Sequence, residues 1–283
     1  MKVISFCSEK GGVGKTTTTV NTGMQLALAG NKVLVVDLDG QGNAGRTLGF
    51  IKDGKPTSAE LIFNVIAGND VDIEGIIRHS EVEGLDYIPS NQMLTGISSQ
   101  MTGDYDPNNI LRRIFRHEWF AERYDYILFD CRTLLDILVS NALNASDFVI
   151  IPVESGVYSF DGLSKMIDKV NGIHATTNPD LELLGIVLNK QNKTNVGQSV
   201  AESVREKYSG QVFINTIPYL PAQCESNVMG NFNEKAKFNE AFKTLVSEMV
   251  YRIKKKSSED SVNGEEVKSD ISSLVTQVIE SHC

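Results

Sequence analysis

Apolar residues fall along this chain in short, nearly unbroken runs, separated by stretches in which they recur every three or four positions. Val3-Ile4-Ser5-Phe6, Val33-Leu34-Val35-Val36, Tyr126-Ile127-Leu128-Phe129, Phe148-Val149-Ile150-Ile151 and Leu183-Leu184-Gly185-Ile186-Val187-Leu188 are runs of the first kind. Their length and their Val and Ile content predict buried strands, with Val33 to Leu38 a parallel one. Helical spacing covers Thr18 to Ala29, Ser58 to Ala67, Leu111 to Arg116 and a long stretch from about Asn233 to Lys256. Gly84-Leu85-Asp86-Tyr87-Ile88-Pro89-Ser90 reads as a strand and a turn. The rest of residues 51–117 suggests structure and no chemistry.

The chemistry lies where the apolar runs stop. Between the first strand and the first helix stands Ser8-Glu9-Lys10-Gly11-Gly12-Val13-Gly14-Lys15-Thr16-Thr17. Strand, glycine-rich loop and helix in that order make a phosphate loop: Gly11, Gly12 and Gly14 let backbone N–H groups turn inward, and the helix adds its positive end. In such a loop Val13 and Thr17 lend backbone, Lys15 reaches the β- and γ-phosphates, and the Thr16 hydroxyl ligates Mg²⁺. The run Tyr124 to Phe129 ends in Asp130, a carboxylate placed to hold Mg²⁺ through its water shell. Asp37 and Asp39 close the second strand and share a face if the strand continues past Leu38.

Position 9 is Glu where the plain phosphate-loop pattern has Gly, and position 10 is a second lysine. This two-lysine loop is a deviant Walker A motif, and with Asp39-Gly40-Gln41-Gly42-Asn43 and Asp130-Cys131 the chain resembles the ParA/MinD family of dimeric P-loop ATPases, its ParA/Soj-type partition members above all. The resemblance covers residues 2–256. It implies an α/β fold: a doubly wound, mostly parallel sheet with helices on both faces, binding ATP and Mg²⁺ at the strand C-termini. It also implies that Lys10 acts on the ATP of the partner in a homodimer, and that Asp39 orients the attacking water and joins the metal site with Thr16 and Asp130. Asp37 supports the loop lysines and the Mg²⁺ shell. Asn189 and Pro218 fall at the adenine side, and Lys193 in the DNA-binding surface. Nonspecific DNA and a ParB-type centromere-binding protein are the partners the resemblance implies, with nucleoid association in the ATP state. A MinD-like or other positioning ATPase, switching a protein cargo or a membrane site, is the alternative.

The chain departs from the family pattern at several places. Gly40 stands for a proline, which predicts a looser first switch. Arg132-Thr133 stand for two prolines, leaving Arg132 either a surface arginine or a contact to phosphate or a partner. Tyr219 and Ala222 stand for arginines of the DNA footprint.

Composition changes the picture at the C-terminus. Net charge is −9, and residues 257–283 hold one lysine against six carboxylates. This predicts an ATPase domain over 1–256, a disordered acidic linker over 257–269 and a short amphipathic helix over 270–283, striped by Ile271, Leu274, Val275, Val278 and Ile279. Its acidic flank disfavours an anionic membrane and suits docking on the domain or on a partner protein. No run reaches the roughly eighteen apolar residues of a membrane span, and the first residues already form a strand, so a cytoplasmic protein is expected. Cys7, Cys131, Cys224 and Cys283 show no CxxC pairing, which predicts reduced thiols and no zinc or iron–sulfur cluster, with Cys7 and Cys131 as small buried hydrophobes.

Overall fold

The computed structural model describes residues 1–154, 159–190, 195–218 and 237–259. It divides into two units, Met1–Glu248 and Met249–Cys283; the first holds the sheet and the candidate site. The strands are β1 (Lys2–Phe6), β2 (Val33–Leu38), β3 (Arg78–His79), β4 (Leu85–Ile88), β5 (Tyr126–Cys131), β6 (Phe148–Glu154) and β7 (Glu182–Asn189). The helices are α1 (Lys15–Leu28), α2 (Asn43–Thr47), α3 (Ser58–Ile66), α4 (Ile73–Ile76), α5 (Ile97–Met101), α6 (Ile110–Phe115), α7 (Glu118–Ala121), α8 (Ile137–Ala145), α9 (Ser159–Thr176), α10 (Asn195–Lys207) and α11 (Lys237–Glu259), with a 3₁₀ turn at Gln92–Gly96.

The strands form one sheet in the order β3-β4-β2-β5-β1-β6-β7. All neighbours are parallel except β3, which pairs antiparallel with β4. This is the expected doubly wound sheet with helices on both faces. The apolar runs explain it: every residue of β2 is buried, as a strand covered on both faces must be. β1 connects to β2 on one side, whereas its neighbour β5 connects past it to β6 on the other, and the crevice at the C-terminal ends of β1 and β5 is where such sheets bind ligands. The loop after β1 therefore occupies the switch point.

In the region the sequence left without chemistry, α3 is started by a capping box in which Thr57 and Glu60 satisfy each other's end of the helix. The ring of Phe115 meets those of Phe120 and Phe129 at 5.1 Å each, tying α6 and α7 to β5. The helix expected over 233–256 is described from Lys237 and continues to Glu259, three residues into the stretch expected as linker. An established helix extends through Ser and Glu at little cost, which composition alone does not register. The segment 270–283, together with Lys193, Tyr219, Ala222, Cys224 and Cys283, lies outside the described residues. No described helix is long and apolar enough to cross a membrane.

Candidate functional site

The loop from Ser8 to Gly14 turns with Gly12 at φ 78° and Gly14 at φ 85°, the left-handed region in which a side chain is strained. Gly14 is the N-cap of α1, and no side chain caps that end; its first turn also contains no acid. The N-terminus of a 14-residue helix without a side-chain cap or an acid in its first turn suits an anion.

Beneath the loop Lys15 is 7% exposed, with Nζ 3.3 Å from Asp130 Oδ1. Burial works against its charge, but Asp130, Cys131 and Asp39 outweigh that and raise its pKa. The Thr16 hydroxyl donates to Asp130 Oδ2 at 2.7 Å, and Thr19 donates to Asp130 Oδ1 at 3.4 Å. Asp130 is fully buried at the end of β5. The hydroxyl and carboxylate expected to serve the cation are therefore in direct contact, beside a buried ammonium. That donor set of hard oxygens facing a phosphate cradle fits Mg²⁺ bound with a nucleotide.

Asp37 stands level with Asp130 on the adjacent strand. Burial first, and then the Asp130 charge, push its carboxyl up to about 7. Its oxygens accept from Asp39 N–H and Gly45 N–H, both at 3.1 Å. Its partners are thus the backbone of the first switch, where the sequence had it supporting the loop lysines. Asp39 leaves the strand, which ends at Leu38, and its Oδ1 accepts from Gln41 N–H at 3.0 Å, so the two acids do not continue one strand face.

The first switch is not slack at Gly40. A Cβ there would lie 2.6 Å from Thr95 Oγ1, and Ser90 Oγ donates to the Asp39 carbonyl at 2.5 Å. The glycine is what lets the turn Gln92–Gly96 pack on the switch backbone. In place of the expected looseness the structure shows a fastened segment.

Arg132, left open between a surface and a contact role, is 8% exposed. It forms an ion pair with Asp136, donates to Ser98 Oγ, and its Nη1 donates to the Leu94 carbonyl at 3.2 Å. The surface reading is corrected by these partners, which lie on segments that only folding brings together.

On the far side of the loop the Asn189 amide is 2% exposed and donates to the Val13 carbonyl at 2.9 Å, the Gly14 carbonyl at 3.3 Å and Thr18 Oγ1 at 3.1 Å. Its oxygen accepts from Lys190 N–H at 2.9 Å. The side chain expected at a purine edge is turned into the loop, which it braces. Lys190, at φ 51°, adds an ammonium donating to the Gly12 carbonyl at 2.6 Å; sequence reasoning had not singled it out. Pro218 is half-buried and follows Ile217, whose N–H donates to the Leu188 carbonyl at 2.9 Å, near the end of β7.

Lys10 takes a course different from that of Lys15. Its side chain is 39% exposed and 3.7 Å from Glu154 at the end of β6, while the adjacent Glu9 pairs with Lys165 of α9 at 3.1 Å. Cys7 and Cys131 are free and fully buried, as expected. Burial and the neighbouring Cys131 push the Cys7 thiol well above its ordinary range, which keeps it unreactive.

Residues 1–183 match the family described as AAA domain. The sporulation initiation inhibitor protein Soj of Bacillus subtilis is 37% identical over 218 residues, 77% of this chain and 84% of that protein. The chain belongs to the ParA/MinD family of P-loop ATPases. A second member of the family, the chromosome partitioning protein ParA of Myxococcus xanthus, is 34% identical over 256 residues, 89% of this chain and 88% of that protein. Among solved structures, cobyrinic acid a,c-diamide synthase from Mycobacterium smegmatis with bound ADP and magnesium superposes with a TM-score of 0.77 at 27% identity, covering 90% of this chain and 96% of that one. McdA of Cyanothece superposes at a TM-score of 0.76 and 20% identity, a likeness of fold alone.

Proposed function

We propose that this ParA/MinD-family chain is an ATP-dependent partition ATPase: an ATP-bound homodimer that holds DNA without sequence preference and lets go when a ParB-type partner stimulates hydrolysis. The observation that carries this reading is the divergence of the two loop lysines. Lys15 is buried against Asp130, whereas Lys10, among the described residues, is held by a weak pair at the loop's open side. A buried lysine serves its own nucleotide; a partly exposed one is free to serve a neighbour's.

In this reading ATP lies along Gly11 to Thr17, its phosphates on the uncapped start of α1. Bound Mg²⁺ would neutralise phosphate charge, held by Thr16 and, through water, by Asp130. Lys15 neutralises the β- and γ-phosphates, the partner's Lys10 adds charge where it develops in transfer, and Asp39 orients the water. Pro218 borders the adenine. Asn189 acts on the nucleotide through the loop it braces, and Lys193 supplies a phosphate contact to DNA.

A second reading, a nucleotide switch positioning a protein cargo, is favoured by one observation: Tyr219 and Ala222 remove two cations from the proposed DNA surface. Binding of a random duplex, measured with ATP·Mg²⁺, with ADP and without nucleotide across a salt series, separates the two. Partition predicts binding with ATP only, falling steeply with salt through counterion release, and lost in Lys15→Ala and Lys193→Ala. Absence of binding at low salt with ATP present would overturn it in favour of the switch.

A further inference from the structure

β5 delivers Asp130 to the nucleotide site, and five residues separate its end from α8. This short connection, Arg132 to Asp136, carries Leu134 at 62% exposure and is closed by a backbone bond from Asp136 N–H to the Leu134 carbonyl at 2.9 Å. What fastens it to the domain is the Arg132 side chain. The guanidinium is buried, and a buried cation is tolerated only where a counterion and acceptors meet it. All are present: the Asp136 carboxylate, the Ser98 hydroxyl and the Leu94 carbonyl.

Each partner leads somewhere. Asp136 also caps α8, accepting from Leu138 N–H at 3.2 Å and Val139 N–H at 3.4 Å. Leu94 belongs to the turn Gln92–Gly96, whose Thr95 packs on Gly40 of the first switch. Ser98 lies in α5 and itself donates to Asp136 Oδ2. Burial pulls the Arg132 pKa below its ordinary value, and the charge of Asp39, the first-switch carboxylate, works against that. One guanidinium thus joins the segment after Asp130 to the segment that packs on the Asp39 switch.

We propose that Arg132 is a positioning residue of the nucleotide site: its planar fork braces the connection after β5 against Leu94, Ser98 and Asp136, and so fixes the Asp130 carboxylate against Thr16 and Lys15. The effect on Asp130 rests on the ATPase reading above; the brace itself does not. A lysine would not replace it, because one ammonium does not span three acceptors on separate segments in the way a rigid fork does.

Two measurements test this on the full chain. Amide hydrogen exchange of the nucleotide-free protein follows residues 131–137 and 92–96. Binding of a fluorescent ATP analogue is measured in EDTA and across a Mg²⁺ series. Arg132→Ala is expected to speed exchange in both segments about tenfold. It should raise the Mg²⁺ concentration for half-maximal binding about threefold and weaken binding in EDTA by less, because the backbone of the phosphate loop is not touched. Asp136→Asn keeps a capping side chain for α8 while removing the counterion, and gives a smaller change in the same direction; the double variant is no worse than Arg132→Ala, as expected of one shared interaction. If Arg132→Ala does not fold, Asp136→Asn carries the same test. Wild-type exchange in either variant, or additive losses in the pair, would overturn the brace. Equal losses with and without Mg²⁺ would overturn its action through Asp130. A wild-type chain whose ATP binding ignores Mg²⁺ would fail the ATPase reading, and the exchange result would still decide the brace.

Discussion

Two carboxylates stand side by side at the floor of the site, and among the described residues one of them alone meets a cation. Asp130 faces Lys15 and Thr16, while Asp37 accepts two backbone N–H groups and has Asp130 as its charged neighbour. The Asp37 carboxyl is therefore lifted from an ordinary 3.8 to about 7. Between those values the folded chain keeps a proton that the unfolded chain has lost, so the unfolded state binds fewer protons and stability falls as pH rises. The slope is at most about 1.4 kcal/mol per pH unit, and it levels off once Asp37 ionises in the folded chain as well. Denaturant unfolding of the nucleotide-free, Mg²⁺-free protein should show wild type losing stability relative to Asp37→Asn as pH climbs from 4 to 7. Asparagine gives up one backbone acceptor, a pH-independent cost of about 1 kcal/mol, so the slope and not the offset carries the test. Parallel pH profiles for the two proteins would refute the assignment.

At the scale of elements, the phosphate loop is a backbone shape enforced from outside. Gly14 holds φ 85°, and a Cβ on it would sit 2.3 Å from the Asn189 amide nitrogen. Gly14→Ala should thus combine left-handed strain with withdrawal of the brace from the Val13 carbonyl, costing about 1–3 kcal/mol in stability and abolishing nucleotide binding. Gly11→Ala meets nothing within 4 Å and has no positive φ, so its stability should stay within about 0.5 kcal/mol of wild type. Equal destabilisation of the two variants, read by denaturant midpoint, would contradict this account. The contrast also marks what the sequence can tell. The loop was legible because its strand, glycines, lysines and helix are consecutive, and β1, β2, β5, β6 and β7 were legible because a strand buried on both faces is written as an apolar run. The braces were not. Asn189 reaches the loop across 176 positions and Arg132 meets Leu94 across 38, and no local pattern announces a side chain whose partners are brought up by the sheet order. Gly40 misled for a related reason, since its role depends on Thr95 and not on its neighbours in the chain.

At the scale of the molecule, the switch-point position of β1 puts one lysine of the loop in the interior and the other at its margin, and this makes assembly separable from nucleotide binding. Lys15→Ala removes the buried cation beneath the glycine loop, the one proposed to meet the phosphates, so it should lose both the thermal stabilisation by ATP·Mg²⁺ and turnover. Among the described residues Lys10 makes a pair with Glu154 between partly exposed groups, of the kind worth about 0–1 kcal/mol. Lys10→Ala should therefore keep nearly the wild-type thermal shift with ATP·Mg²⁺, since that shift reports binding to the folded chain, while its turnover falls about a hundredfold. Mixing makes the argument strict. If the lysine acts in trans, a dimer of one Lys10→Ala chain and one Lys15→Ala chain holds a single intact composite site, because the Lys15→Ala chain still offers Lys10 to the nucleotide on the other chain. Two inactive variants should then recover activity on mixing, with a turnover per chain that rises with protein concentration until dimers saturate. A mixture as inactive as its components, with dimers shown by sedimentation, would place Lys10 in its own site and remove the reason for reading the two-lysine loop as a device for pairing chains.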